Sequence, residues 1–113
     1  MTPAYEVRRS VYQGTPIIEL SGECDINAVP EVRAAIRESF VEGATSLVFD
    51  LENATFLDSS VMGAFLGARH RSTQAGGTVT ILCSSPTLTR LLHLLELDKI
   101  IDIRPRDGWE PEA

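Results

Sequence analysis

Residues 45–67 contain an apolar strand that runs directly into a helix. The predicted strand at 46–50 is too apolar to be solvated on both faces, which favours an interior position in a partly parallel sheet. A polar turn and a second short apolar step then lead into Asp58, Ser59 and Ser60, and an amphipathic helix follows at once. The chain therefore presents an acid and two hydroxyls at the point where a helix begins.

The start of a helix has a chemistry of its own. The first four backbone N–H groups of a helix lack partners within it, so an Asp or Ser at this point acts as a cap. The same donors, together with the positive end of the helix dipole, also favour a phosphate. Ser59 can therefore serve as a cap, as a phosphoacceptor, or as both.

The composition is typical of one soluble domain. Of the 113 residues, 43% are hydrophobic and 23% are charged, which argues against a disordered chain. The net charge of −6 argues against nucleic acid as a partner and permits a basic protein partner. No apolar run approaches the roughly 18 residues that cross a bilayer, and the N-terminus lacks the apolar core of a signal peptide. We therefore expect a cytoplasmic protein with no membrane partner.

Cysteine and histidine are too few for a disulfide framework or a zinc site. The chain has two cysteines, Cys24 and Cys83, and two histidines, and their spacing matches no zinc motif. We expect reduced, mostly buried thiols, and neither a metal nor a cofactor.

Strands and helices alternate after an initial hairpin. Apolar periodicity and turn residues predict strands at 5–12, 16–20, 46–50, 78–83 and 100–103, with helices that start at an Asn27 cap, at about Ser60 and after a Ser85 cap. This order implies parallel neighbours joined by right-handed crossovers, so the fold class is α/β with a mixed sheet. Residues 1–104 are expected to form the domain, and the polar residues 105–113 a frayed C-terminal tail.

Two glycines lie inside the predicted second helix. Gly63 and Gly67 each cost about 1 kcal/mol relative to alanine in a helix interior, so we expect them to allow close approach to the sheet or to a partner. Close packing within the domain is the preferred explanation.

The known catalytic signatures do not fit this chain. A phosphate-binding loop needs GxxxxGK[ST] or GxGxxG between a strand and a helix, and neither is present. A hydrolase serine needs GxSxG with a base and an acid, whereas Ser59 and Ser60 lie in LDSSVM and neither His70 nor His93 is placed to act as the base. A response-regulator receiver domain starts with a strand and a helix, not with a hairpin. We expect no catalysis by this chain.

Several sequence blocks in a fixed order carry a family resemblance. They are GECD at 22–25, FLDSSVMGAFLG at 56–67, GG at 76–77, and SPTLTRLL at 85–92 followed by LDKII at 97–101. Their order and spacing resemble a STAS domain, and most of all the bacterial anti-sigma factor antagonists of the SpoIIAA and RsbV type, over roughly residues 17–104. The resemblance implies a single STAS-type domain whose mixed sheet carries its helices mainly on one face.

The resemblance also implies a regulatory cycle. In this family, an anti-sigma factor with serine kinase activity phosphorylates the serine directly after the Asp that begins the second helix. Here that serine is Ser59, with Ser60 as the second choice. The unphosphorylated protein binds the anti-sigma factor and frees the sigma factor without contacting it, and a serine phosphatase resets the cycle. The residues expected at the partner surface are Cys24, Asp25, Asn27, Asp58, Ser60 and Val61.

Two residues depart from the family pattern. Val61 stands where the family usually has glycine, and its β-branched side chain adds bulk in the first helical turn, which makes a different choice of partner conceivable. Cys24 stands where an aliphatic residue is common, which leaves an oxidation-sensitive contact open.

Three alternatives remain. Asp58 and Ser59 can cap the second helix with no kinase involved. A STAS module can act as a non-cycling docking subunit of a larger signalling or lipid-transport assembly. A small nucleotide- or phosphate-binding protein can use the helix amides as an anion site.

Overall fold

One sheet of five strands, in the order β1-β2-β3-β4-β5, lies at the centre of the computed structural model, which describes residues 3–111. The strands are β1 (Tyr5–Tyr12), β2 (Thr15–Cys24), β3 (Leu47–Leu57), β4 (Val79–Leu82) and β5 (Asp102–Arg104). The helices are α1 (Val29–Val41), α2 (Ser59–Gln74) and α3 (Pro86–Leu94), with 3₁₀ turns at Ile26–Ala28 and Leu97–Lys99.

The first pair of strands is antiparallel and the rest of the sheet is parallel. β1 and β2 form a hairpin, whereas β2, β3, β4 and β5 all run in the same direction. A helix joins each parallel pair, and right-handed crossovers between adjacent strands place the helices on the same face. The predicted mixed sheet, the edge position of β1 and the interior position of β3 are confirmed.

The hydrophobic core lies between the helices and one face of the sheet. Ile18 of β2 and Phe49 of β3 are fully buried and share one apolar cluster with side chains from all three helices. The rings of Phe49 and Phe65 are in contact, with centroids 4.3 Å apart and planes tilted by 34°. Burying an apolar side chain of this size contributes about 1.5–3 kcal/mol, so α2 is held firmly on β3.

β3 is longer than the sequence predicts. The sequence indicates a strand at 46–50 and then a polar turn, but the strand is continuous to Leu57. Two register shifts in its pairing with β2 accommodate the polar residues, because a bulge absorbs an extra residue without ending the strand. β2 also continues past Gly22 to Cys24, whereas the last strand is shorter than predicted.

A close contact fixes the C-terminal end of α2. A Cβ atom at Gly77 would lie 1.9 Å from the carbonyl oxygen of Thr45, so this position needs glycine. The fully buried hydroxyl of Ser72 lies within hydrogen-bond reach of the carbonyl oxygens of Thr45 and Thr78. These contacts hold the end of α2 against the starts of β3 and β4.

The C-terminal segment, residues 105–111, folds back towards the strands. The Nε of Arg106 lies 3.0 Å from Oδ2 of Asp50, a β3 side chain that is only 5% exposed. The ring of Trp109 lies 6.5 Å from that of Tyr12, whose hydroxyl donates to Glu110. The expectation of a frayed tail is therefore wrong for residues 105–111, because this segment neutralises a buried carboxylate and contacts an aromatic ring.

Candidate functional site

The candidate site lies where β2 and β3 end side by side. Cys24 is opposite Leu57 in the parallel pairing, and the backbone N–H of Asp58 donates to the carbonyl oxygen of Cys24 at 3.0 Å. The residue that follows each strand is an acid, Asp25 or Asp58, and each caps the helical turn after it. The two acids expected at the partner surface are therefore brought to one edge of the sheet.

Asp58 is the N-cap of α2, as the sequence predicts. Its Oδ1 accepts a hydrogen bond of 2.8 Å from the backbone N–H of Ser60 and one of 2.6 Å from the Ser60 hydroxyl. The hydroxyl bond and then the backbone bond favour the ionised carboxylate, so they hold the pKa of Asp58 below its ordinary value. At neutral pH, α2 therefore begins beside a full negative charge.

Ser59 and Ser60 differ in their accessibility. Ser59 is the first residue of α2 and is exposed, whereas Ser60 is half-buried and its hydroxyl donates to Asp58. A modifying enzyme could reach Ser59 without breaking a hydrogen bond of the cap. This geometry favours Ser59 over Ser60 as a phosphoacceptor, and the modification itself stays a prediction.

Three backbone amides in the first turn of α2 are already engaged. The Ser60 amide donates to the Asp58 carboxylate, and the amides of Val61 and Met62 donate to the Asp58 carbonyl oxygen at 3.0 and 3.3 Å. A free anion would have to displace the Asp58 side chain and would meet its charge. The start of α2 is therefore a poor site for a free phosphate.

Two residues expected at the partner surface are buried. The side chains of Cys24 and Val61 belong to the core cluster and are 0% exposed, so neither can contact a partner directly in this conformation. The bulk that Val61 adds points into the core rather than towards a partner. Burial, followed by the negative charge of Asp25, raises the pKa of the Cys24 thiol to about 11, so it stays protonated and poorly reactive at neutral pH.

Asn27 does not cap the first helix, contrary to the sequence-based expectation. The side chain of Asp25 accepts a hydrogen bond of 2.9 Å from the Asn27 backbone N–H and caps a 3₁₀ turn, Ile26–Ala28, that precedes α1. Asn27 is exposed, so its place at a partner surface stays a prediction. Asp25 rather than Asn27 is the capping residue because the chain enters α1 through this extra 3₁₀ turn, so the capped position lies two residues earlier in the sequence.

Tyr5 supports the turn that carries Asp25, and no sequence pattern predicts this role. Its hydroxyl donates to the carboxylate of Glu31 at 2.8 Å and lies 3.1 Å from the Asn27 carbonyl oxygen. The bond to Glu31 is the main reason that the pKa of Tyr5 is raised. Tyr5 thus ties β1 to the turn that carries Asp25, a contact between distant residues that no local pattern indicates.

Two apolar side chains next to the acids are exposed. Ile26 follows Asp25 and is 64% exposed, and Phe56, two residues before Asp58, is 48% exposed. Exposed apolar side chains beside polar ones are typical of protein interaction sites. Phe56 belongs to the short apolar step before Asp58 in the sequence, whereas Ile26 gives no periodic signal because it is one apolar residue in a turn.

Metal-holding clusters and membrane-spanning helices are absent from residues 3–111. Among residues 3–111, no group of three or more His, Cys, Asp or Glu side chains is arranged to hold a metal ion. No helix in this range combines the length and the apolar character that crossing a membrane requires.

A family comparison covers the whole of this site. The model of the STAS domain matches residues 6–107. The chain belongs to the STAS domain family. This STAS domain is 34% identical over 84 residues to the anti-sigma F factor antagonist of Lysinibacillus sphaericus, with 74% of this chain and 72% of the relative covered.

Solved structures show the same fold. An anti-sigma factor antagonist from Mycobacterium paratuberculosis superposes with a TM-score of 0.81 at 23% identity, over 91% of this chain and 87% of that one. The phosphorylated form of SpoIIAA, a Bacillus cell fate determinant, superposes with a TM-score of 0.69 at 28% identity, over 92% and 94% of the two chains. The predicted STAS-type fold is confirmed.

Proposed function

We propose that this STAS domain is an anti-sigma factor antagonist, a regulatory binding protein of the bacterial cytoplasm rather than an enzyme. In its unphosphorylated form it binds an anti-sigma factor with serine kinase activity, which releases the sigma factor. Phosphorylation of Ser59 ends this binding, and a serine phosphatase restores it. The related anti-sigma F factor antagonist and the phosphorylated SpoIIAA structure support this assignment.

The position of Ser59 is the observation that carries the proposal. Ser59 is exposed at the first position of α2, and its neighbour Asp58 is ionised and already bonded to the helix amides. A phosphate added to Ser59 would therefore gain little from these amides and would sit beside a carboxylate. The modification would change the charge of this surface more than it would change the fold.

The size of the effect follows from the cost of desolvating charge. A phosphoserine carries about −1.5 to −2 charges at neutral pH. An interface fitted around a neutral hydroxyl would bury these charges without a partner, which costs several kcal/mol. A loss of about 3 kcal/mol weakens binding more than a hundredfold. Phosphorylation would thus act as an electrostatic off switch.

Phosphate mapping tests the modification. The protein is incubated with ATP and candidate kinases from the source organism, and the product is analysed by intact-mass and peptide mass spectrometry. We expect one added phosphate that Ser59→Ala abolishes and the matched Ser60→Ala retains. Phosphate on Ser60 alone, or none with any kinase that binds the protein, would contradict the assignment.

Binding measurements test the switch. A pull-down with and without ATP identifies the kinase partner, and calorimetry compares its affinity for the wild-type, phosphorylated and Ser59→Asp proteins. We expect affinity to fall at least a hundredfold on phosphorylation, and to fall also with Ser59→Asp. Equal affinity in all forms would instead favour a docking subunit that does not cycle through phosphate.

A free nucleotide or phosphate as the ligand is disfavoured. Three of the amides that would hold such an anion, those of Ser60, Val61 and Met62, already donate to Asp58. A cavity of about 640 Å³ between Asp50, Trp109 and neighbouring residues is large enough for a small ligand, but it does not include Asp58 or Ser59. A thermal shift with ATP or inorganic phosphate that Ser59→Asp abolishes would favour this alternative.

A further inference from the structure

A groove runs between α1 and α2 on the helical side of the domain. It has a volume of about 260 Å³, and its lining includes Arg33, Arg37, Gly63, Gly67 and Arg71. We call it the α1–α2 groove. Gly63 lies one helical turn beyond Ser59, so the groove continues from the candidate phosphorylation site along the same helix.

The glycines of the groove have no packing role within the domain. A Cβ atom at Gly63 or Gly67 would meet no atom of the fold within 4 Å, and both residues are exposed. The expectation that they allow close helix packing inside the domain is therefore wrong. Each glycine weakens the helix relative to alanine. Because glycine has no side chain, another chain can approach the backbone of α2 closely at these two positions.

The rim of the groove is basic. Arg33 and Arg37 lie on successive turns of α1, and Arg71 faces them from α2 with its guanidinium 4.5 Å from the centroid of the Phe40 ring. Among residues 3–111, none of these three arginines forms an ion pair, whereas Arg8, Arg9, Arg104 and Arg106 do. Three uncompensated cations thus line one groove of a chain whose net charge is −6.

We propose that the α1–α2 groove docks an acidic helical segment of the protein partner. The arginines would pair with the carboxylates of the segment, and the glycines would let its backbone lie close above α2. Because the net charge of the domain is negative, a locally acidic protein segment fits this small basic patch better than an extended polyanion. The identity of the partner rests on the proposed function.

A peptide experiment tests the chemistry of the groove without the partner. The full chain is titrated with a short amphipathic helical peptide that carries glutamates on its polar face, and with a lysine version of the same peptide. We expect the glutamate peptide alone to shift the NMR signals of the Gly63 and Gly67 amides and of the Arg71 Nε. Arg33→Glu/Arg37→Glu should abolish these shifts, and the matched Arg90→Glu on α3 should retain them.

Several results would overturn the proposal. These are equal binding of the lysine peptide, shifts confined to residues outside the groove, and binding that survives Arg33→Glu/Arg37→Glu. Competition by phosphatidylserine vesicles or single-stranded DNA at lower concentrations than the peptide would assign the patch to a lipid surface or a nucleic acid, and would also overturn it.

The kinase identified by pull-down provides the second test. We expect Gly67→Leu to leave Tm unchanged or raised and to weaken binding of the kinase at least tenfold. Gln74→Leu, at the other end of α2, should change affinity less than twofold.

If Ser59 is phosphorylated but Gly67→Leu and Arg33→Glu/Arg37→Glu bind normally, the groove proposal fails and the proposed function stands. If no kinase acts on Ser59, the proposed function fails, and the peptide result decides the groove separately.

Discussion

The backbone N–H of Asp58 donates to the carbonyl oxygen of Cys24 at 3.0 Å, and this bond holds the ends of β2 and β3 together. As a result, the caps that follow the two strands, Asp25 and Asp58, lie at one edge of the sheet. The exposed hydroxyl of Ser59 is the next group along the chain. The parallel pairing of β2 with β3, which this bond extends by one residue, therefore assembles the candidate site.

Removing the carboxylate of Asp58 should destabilise the domain. Asp58→Ala takes the acceptor from the Ser60 amide and hydroxyl, and loss of a helix cap in a domain of this size lowers Tm by roughly 4–8 °C. Ser59→Ala should change Tm little, because Ser59 is exposed. Thermal unfolding followed by circular dichroism measures both, and a larger effect for Ser59→Ala would contradict the cap assignment.

The charge of Asp58 should make stability depend on pH. The pKa of Asp58 in the folded state lies below the ordinary value of 3.8. The ionised carboxylate therefore contributes fully to the free energy of unfolding above pH 3.8, and this contribution is lost as the pH falls through the lower, folded-state pKa. Asp58→Asn keeps an acceptor for the cap but does not titrate. The stability difference between wild type and Asp58→Asn, measured by urea unfolding, should therefore be constant near neutral pH and shrink below pH 3.8.

Arg106→Ala should destabilise the domain more than removal of an exposed arginine. Arg106 is the cation that pairs with the Asp50 side chain, which is 5% exposed and would keep, within residues 3–111, only the Glu52 backbone N–H as a hydrogen-bond partner. Loss of a hydrogen bond to a buried group costs about 1–3 kcal/mol. Arg104 and Asp102 form a shorter pair, at 2.6 Å, but both are more than half exposed, so Arg104→Ala should cost at most about 1 kcal/mol. Equal urea midpoints for the two variants would show that residues 105–111 do not stabilise the sheet.

Substitution by alanine should lower the stability of the domain at Gly77, just after α2, and raise it at Gly67, within α2. At Gly77 the new Cβ would lie 1.9 Å from the Thr45 carbonyl oxygen, and overpacking of this kind costs about 1–3 kcal/mol or more. At Gly67 it meets nothing, so the better helix propensity of alanine should stabilise the free domain by up to about 1 kcal/mol. Urea unfolding of Gly77→Ala and Gly67→Ala decides this, and a loss of stability at Gly67 would show a contact absent from the structure.

Ile26 and Phe56 should contribute to partner binding but not to stability. Both are exposed in the free domain, so Ile26→Ser and Phe56→Ser should leave the urea midpoint nearly unchanged. Each should weaken binding of the kinase partner by about tenfold, the effect of losing about 1.4 kcal/mol. Val41→Ser is the matched control, since Val41 is 76% exposed at the far end of α1. Equal affinity for all three variants would place the interface elsewhere.

Much of the fold is predictable from the sequence because it follows local periodicity. The alternation of strands and helices and the Asp58 cap all depend on patterns that recur within one element. The length of β3 was not predictable, because polar residues in its second half are held by register shifts against β2. The position of residues 105–111 depends on the pairing of Arg106 with Asp50, which no local pattern reveals.

The acids and hydroxyls of the candidate site were predictable from the sequence, whereas the side chains around them were less so. Asp25 and Asp58 follow strands, so their proximity follows from parallel pairing. The burial of Cys24 was expected for a reduced thiol, and it conflicts with the expectation that Cys24 lies at the partner surface. The burial of Val61 depends on which face of α2 meets the core, and the family pattern alone did not indicate it. The basic groove was missed because Arg33 and Arg71 come together only when α1 and α2 pack.

The pairing of Asp50 with Arg106 spans 56 positions of the chain, which matters while the protein is being made. Chains emerge from the ribosome N-terminus first. The helices can thus close over their side of the sheet while the opposite side still faces water and Asp50 has no cation. A chain whose helices have packed but whose residues 105–111 have not yet docked therefore exposes this side of the sheet to aggregation and proteases.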